Sequence, residues 1–197
     1  MCGQLLVIKP TNYIARGFFL DTTPHKDKMK LFRVVMPLYR PSENFSFTHS
    51  RMIEGDHAAL FHIDKKAYKD SAAIVFERIE AHVEPLRLLK SPREFLSYIS
   101  YMAGNTMLPV RLDFGLTHYL LGNVQQARDI LRRMDVDLNE YKPERQEHYR
   151  PVIRQVLTLL DNDPPALRAV LNGWRDQKIE RLGLAASVVP ASLRLVE

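Results

Sequence analysis

The chain has a single cysteine, Cys2, among its 197 residues. That excludes an intramolecular disulfide framework and any zinc cluster built on cysteines. The eight glycines stand isolated, so no glycine-rich loop is present to cradle a phosphate. No apolar run approaches the ~20 residues that a membrane-spanning helix needs. The first ten residues, MCGQLLVIKP, lack the basic start and long apolar stretch of a secretory signal. A cytoplasmic protein with no membrane attachment is the expectation.

What is present is ordinary for a folded domain. A hydrophobic content of 46% at this length can bury a sizeable core, and 26% charged residues do not indicate global disorder. The net charge of +5 raises the prospect of an anionic partner. Acidic residues are mixed among the basic ones, as where Asp27 sits between Lys26 and Lys28. No basic face interleaved with aromatics stands out, so the charge reads mostly as solvated surface.

The first third has the texture of short strands. LLVI (Leu5 to Ile8) stops at Lys9-Pro10; YIARGFFL runs from Tyr13 to Leu20; LFRVVMPLY runs from Leu31 to Tyr39. NFSFTHS alternates, placing Phe45, Phe47 and His49 on one face, and ALFHID offers a fifth strand. Turn residues between these runs predict an antiparallel meander of four to five strands over residues 1–64, polar on one face. Pro37 cannot donate a ladder hydrogen bond, so its strand must lie at an edge there or break there.

Beyond Lys66 the period becomes helical. Ala72, Val75, Phe76, Ile79 and Val83 fall on one predicted helix face, with Pro85 as a kink or an end. Ser91-Pro92-Arg93-Glu94 is a strong helix start, opening a helix that should bury Phe95, Leu96, Ile99 and Met102. Val152, Ile153, Val156, Leu157 and Leu160 form the stripe of a later helix. Asp163 and Pro164 begin another, whose apolar side is Leu167, Val170, Leu171 and Trp174. The prediction is an α+β protein: the sheet, a helical subdomain over residues 65–184 packed on it, and a tail over 185–197, as one compact unit.

Within that subdomain, LDFGLTHYLLGNVQQARDILRRM (Leu112 to Met134) is the most organised text. Gly115, Leu121-Gly122, Ala127 and Leu131 follow one another as a small residue on a first helix, a Leu-Gly stop and a small residue on a second. In that order and spacing they resemble one unit of the ~34-residue tetratricopeptide repeat. The resemblance implies two antiparallel helices turning at Gly122, with Ala127 against Gly115, and a surface suited to binding another protein. The bulky early aromatic of the repeat is replaced here, and the closing proline comes late, at Pro143. The strand ending PLYRP, followed by an alternating strand and helical hairpins, is loosely similar to small bacterial proteins of unknown function. Some relatives of that type are considered immunity proteins of toxin systems.

Chemistry-bearing groups are few. Met1-Cys2-Gly3 resembles the start of class II glutamine amidotransferases, which implies Cys2 as a nucleophile. The match is two residues long, and nothing near it supplies the base or positive charge that a thiolate needs. Seven histidines are scattered: His25, His49, His57, His62, His82, His118 and His148. Only Asp56, His57, His62 and Asp64, in GDHAALFHID, group as metal ligands would, and their spacing fits no recurrent site. His118 reads as packed or half exposed. Asp161 and Asp163 sit at a helix boundary, where capping accounts for them. Arg128, Arg132 and Arg133 lie near a helix end, where the dipole accounts for them.

No catalytic, cofactor-binding or metal residue is therefore assigned, and no cofactor is expected. The first reading is a non-enzymatic protein-binding module, with an immunity-type role as one form. The second is a small hydrolase-like enzyme with its site at the sheet–helix junction, using residues 56–64. The third is a basic nucleic-acid binder.

Overall fold

The computed structural model describes residues 3–9, 12–22, 28–41, 46–53, 61–62, 68–102, 104 and 106–185. Their architecture is α+β. Five strands come first: β1 (Gly3–Val7), β2 (Ile14–Thr22), β3 (Lys28–Pro37), β4 (Arg51–Ile53) and β5 (Phe61–His62). All pair antiparallel, in the order β1-β2-β3-β4, and β5 shares the outer side of β3 with β4. Six helices follow: α1 (Tyr68–Arg87), α2 (Pro92–Ile99), α3 (Leu108–Leu120), α4 (Val124–Asp137), α5 (Pro143–Asn162) and α6 (Pro164–Arg181). No described helix is long and apolar enough to cross a membrane.

Pairing of Phe18 with Arg33 and of Leu20 with Leu31 sets which side chains share a face. Ile14, Phe18, Leu31 and Val35 join one continuous core with Val75 and Ile79 of α1, Phe95 of α2 and the inner residues of α3 to α6. The meander pattern predicts a polar opposite face, and the structure corrects this. Ala15 and Met36 are buried there with Leu38, Ile179 and Leu184, because the end of α6 packs on it. Gly17 is required by the sheet itself: a Cβ there would lie 1.9 Å from the Leu6 carbonyl oxygen, so any side chain would push β1 off β2. Pro37 is the last residue of β3, as its missing N–H demands.

The expected strand over 44–50 does not form where it is described. Residues 46–50 are a turn, closed by Ser50 N–H donating to the Phe47 carbonyl, and His49 points inward. Phe45 lies outside the described residues, as do Cys2, His25, Asp56, His57, Asp64 and residues 186–197.

Helix signals fared better. Ser91 accepts from Arg93 N–H while the Glu94 carboxylate accepts from Ser91 N–H, a complete capping box with Pro92 at the first turn. Asp163 caps α6 through Ala166 N–H. Phe95 and Ile99, Ile153, Val156 and Leu160, and Leu167 and Leu171 are buried; their predicted companions Leu96, Met102, Val152, Leu157, Val170 and Trp174 are half-buried. Pro85 is not an end of α1, since it lies inside the helix, which continues to Arg87. One expectation for α1 fails: Phe76 is 59% exposed although Val75 and Ile79 are buried.

The Leu112–Met134 stretch is a helical hairpin. Gly122 has φ +83°, with its N–H donating to the Tyr119 carbonyl and Asn123 N–H donating to that of His118. These two bonds and the left-handed residue form a Schellman stop, satisfying carbonyls that the helix end would orphan. Ala127 is fully buried, but the residue against Gly115 is Leu131, whose Cγ would lie 2.8 Å from a Cβ placed there. The small residue on α3 thus makes room for a branched side chain of α4.

Candidate functional site

The densest polar grouping was not visible as a motif. Asp113 lies in the middle of α3, fully buried among Leu112, Leu116 and their neighbours. Its Oδ2 accepts from Arg40 Nη1 at 2.9 Å and from His49 Nε2 at 2.8 Å. Arg40 follows β3 and His49 belongs to the turn before β4, so both are delivered by the chain leaving the sheet. Arg40 also donates to Ser46 Oγ at 2.6 Å and to the Pro109 carbonyl at 3.3 Å, and Ser46 is bonded to Thr48. Beside them, the Thr117 hydroxyl donates to the Asp113 carbonyl. Its one proton is thereby committed, so the Tyr39 hydroxyl is the donor in their 2.7 Å bond. Burial holds the Tyr39 phenol well above its ordinary value, and it stays neutral.

This network partners one oxygen of a carboxylate that the core could not otherwise hold, while Asp113 Oδ1 and His49 Nδ1 are buried with no hydrogen-bond partner among the described residues. His49 packs its ring edge-on to Phe95 at 5.2 Å and its carbonyl accepts from Tyr98, which ties the turn to α2 as well. Lys178 of α6 completes the surroundings. Its Nζ is buried with no hydrogen-bond partner among the described residues; burial first and the nearby Arg40 charge second bring its pKa down to about 8, with Asp113 opposing.

A histidine, an aspartate and a lysine of lowered pKa in one region are the raw material of acid–base chemistry. Access decides against that use. The His49 side chain is 1% exposed and that of Asp113 is 0% exposed, so a substrate atom cannot come within proton-transfer distance of either in this conformation. The cluster is a tertiary latch: it fastens the post-β3 segment to α3 and α2.

A second candidate lies on the outer side of the hairpin. Arg111, Phe114 and His118 of α3, spaced by three and four, face Gln126, Ile130 and Arg133 of α4 across a groove of about 440 Å³. Phe114 and Ile130 are half-buried and form its apolar floor. Arg111 is held in place by Asp137 at 2.7 Å, whereas among the described residues no ion pair engages Arg133. Burial lowers the His118 pKa, so its imidazole is neutral at pH 7, and its Nδ1 lies 3.3 Å from the Asn123 amide.

The other sequence candidates separate. His62 pairs with Lys28 through β5, while Asp56, His57 and Asp64 lie outside the described residues, so this group stays an expectation about sequence alone. Arg128 and Arg132 do not serve their own helix end: both bind Asp161 of α5, at 2.7 and 3.1 Å, and Arg128 also reaches the Leu160 carbonyl. Asp161 is accordingly an ion-pair partner, held below the usual carboxylate range by those two hydrogen bonds, and Asp163 alone is the cap. The missed residues are Arg40, His49 and Asp113. One signal existed, a carboxylate flanked by Leu112 and Phe114 in the middle of a helix rich in apolar residues; its partners carry none, because 64 and 73 residues separate them from it.

Comparison with protein-family models, with characterised proteins and with solved structures gave no match.

Proposed function

We propose that this chain is a non-enzymatic protein-binding module that engages its partner through the groove on the α3–α4 hairpin. The observation that carries the reading is that groove: an apolar floor of Phe114 and Ile130 beneath a polar rim in which Arg133 has no ion-pair partner among the described residues. Such a floor-and-rim surface suits an apolar anchor flanked by an acidic group. It stands on a rigid base, because the Schellman stop at Gly122 and the Gly115–Leu131 contact fix the two helices against each other. The repeat-like spacing of the hairpin supports the same reading, and an immunity-type role, in which the bound protein is a toxin, is one form of it. The enzyme reading has less support, since the His–Asp convergence is closed to solvent. Nucleic-acid binding also has less, since Arg111, Arg128 and Arg132 are engaged by carboxylates.

Site-specific photo-crosslinking in cells tests this. A crosslinker at Phe114 should give one discrete adduct that a crosslinker at the exposed Arg154 of α5 does not give. Arg133→Glu should abolish the adduct while leaving the melting temperature unchanged. Equal adducts from both positions, or none from Phe114, would overturn the reading.

A further inference from the structure

Arg33 of β3 and Arg51 of β4 are directly opposed in the antiparallel ladder. Both lie on the sheet face of Leu31 and Ile53, the face that the helices cover. Like charges set opposite one another across a ladder are destabilising. Among the described residues neither arginine has an ion pair, although Arg33 is half-buried. Their neighbours do not compensate. Burial first, then the charges of Arg33 and Arg78, lower the His82 pKa, so this imidazole is neutral at pH 7. Tyr98 of α2 stands in the field of the same Arg33 and of Arg51. Every described group that acts on these two side chains and is charged at pH 7 is a cation. Beside them, the Arg51 guanidinium lies over the Tyr101 ring, 4.3 Å from its centroid, and Tyr101 is 58% exposed.

We propose that Arg33 and Arg51 hold the phosphate of a nucleoside monophosphate whose base packs on Tyr101. Charge count selects the ligand. Two unpaired guanidiniums call for two negative charges, and a carboxylate or a phosphodiester brings only one. A phosphate monoester brings about −1.5 to −2 at pH 7, with three acceptor oxygens. Guanidinium forks bond phosphate oxygens in pairs, so two arginines on one face can share a single phosphate. The ring surface that Tyr101 leaves exposed next to Arg51 is the kind on which a planar base stacks. Binding would relieve the repulsion between the opposed arginines, a cost that a purely structural role leaves unexplained. The site shares no residue with the α3–α4 groove, so the two readings stand or fall independently.

Titration calorimetry of the full chain with adenosine monophosphate, ribose phosphate and adenosine tests this. The monophosphate should bind, ribose phosphate more weakly, and adenosine not at all. Arg33→Gln and Arg51→Gln should each weaken the monophosphate at least tenfold without lowering the melting temperature, since each removes a like-charge contact. Tyr101→Ala should reduce its affinity to that of ribose phosphate, and Arg154→Gln, on the exposed side of α5, should change nothing. No binding of the monophosphate at millimolar concentration overturns the proposal. So does adenosine binding as tightly as its monophosphate, or an equal loss in Arg154→Gln. A lower melting temperature in both arginine variants would make the pair structural and overturn it as well. A single-stranded oligonucleotide without a terminal phosphate that binds more tightly, and fails to bind Arg33→Gln, would assign the arginines to a nucleic-acid backbone instead.

Discussion

Arg40 and His49 converge on the same oxygen of Asp113, from opposite ends of the segment that links the sheet to its outer strand. One buried carboxylate in α3 therefore fixes the path of a connection that has no regular structure of its own between residues 46 and 50. Removing one partner of a buried ion pair strands the other in the core.

Asp113→Ala should accordingly cost about 3–5 kcal/mol, read as a fall in the urea midpoint at constant slope. Arg40→Met with Asp113→Leu should recover most of that loss, since no charge is then left unpaired. If the double variant were as unstable as Asp113→Ala, the pair would not be what holds the segment.

Lys178 is a buried ammonium without a hydrogen-bond partner among the described residues, and it makes stability rise with pH. Below a pH of about 8 it is protonated in both the folded and unfolded chains, and the full cost of burying the charge applies. Between about 8 and 10.5 the unfolded chain holds a proton that the folded chain has lost, so the cost is relieved as pH rises. The total is on the order of 3 kcal/mol. Lys178→Met should raise the melting temperature at pH 7, and its advantage over the parent should shrink through that window. Taking the difference between variant and parent removes the opposing titration of the buried tyrosines.

Gly115→Ala tests the hairpin contact. The new Cβ would lie 2.8 Å from Leu131 Cγ, the branch point of a side chain on the facing helix. Overpacking of this kind costs ~1–3 kcal/mol, and Leu131→Val in the same chain should return part of it. Ala127→Leu should cost a similar amount, since Ala127 is fully buried. Unchanged melting temperatures for both would mean that the two helices do not pack as described.

Gly122→Ala isolates backbone strain, because no atom lies within 4 Å of the added Cβ and φ is +83°. The left-handed conformation costs about 1–2 kcal/mol for a residue with a side chain. A loss of that size in thermal unfolding is the expected outcome.

Local codes account for what could be read directly. The capping box at Ser91, the cap at Asp163 and the glycine stop at Gly122 each work through atoms a few residues apart, so sequence alone determined where those helices begin and end. Periodicity likewise marked β1 to β3 and the buried positions Val75, Ile79, Ile153, Val156 and Leu160, because a side chain's face follows from its place along a regular backbone. The same local rule failed at NFSFTHS. Alternation there is compatible with a strand, but the demand of Asp113 for partners draws His49 and Arg40 inward, and the segment turns. It failed again at the second sheet face, which α6 covers from more than 140 residues along the chain. In both cases the deciding atoms are distant in sequence. Burial of a charge and coverage of a face are properties of the assembled layers, and only the tertiary structure decides them.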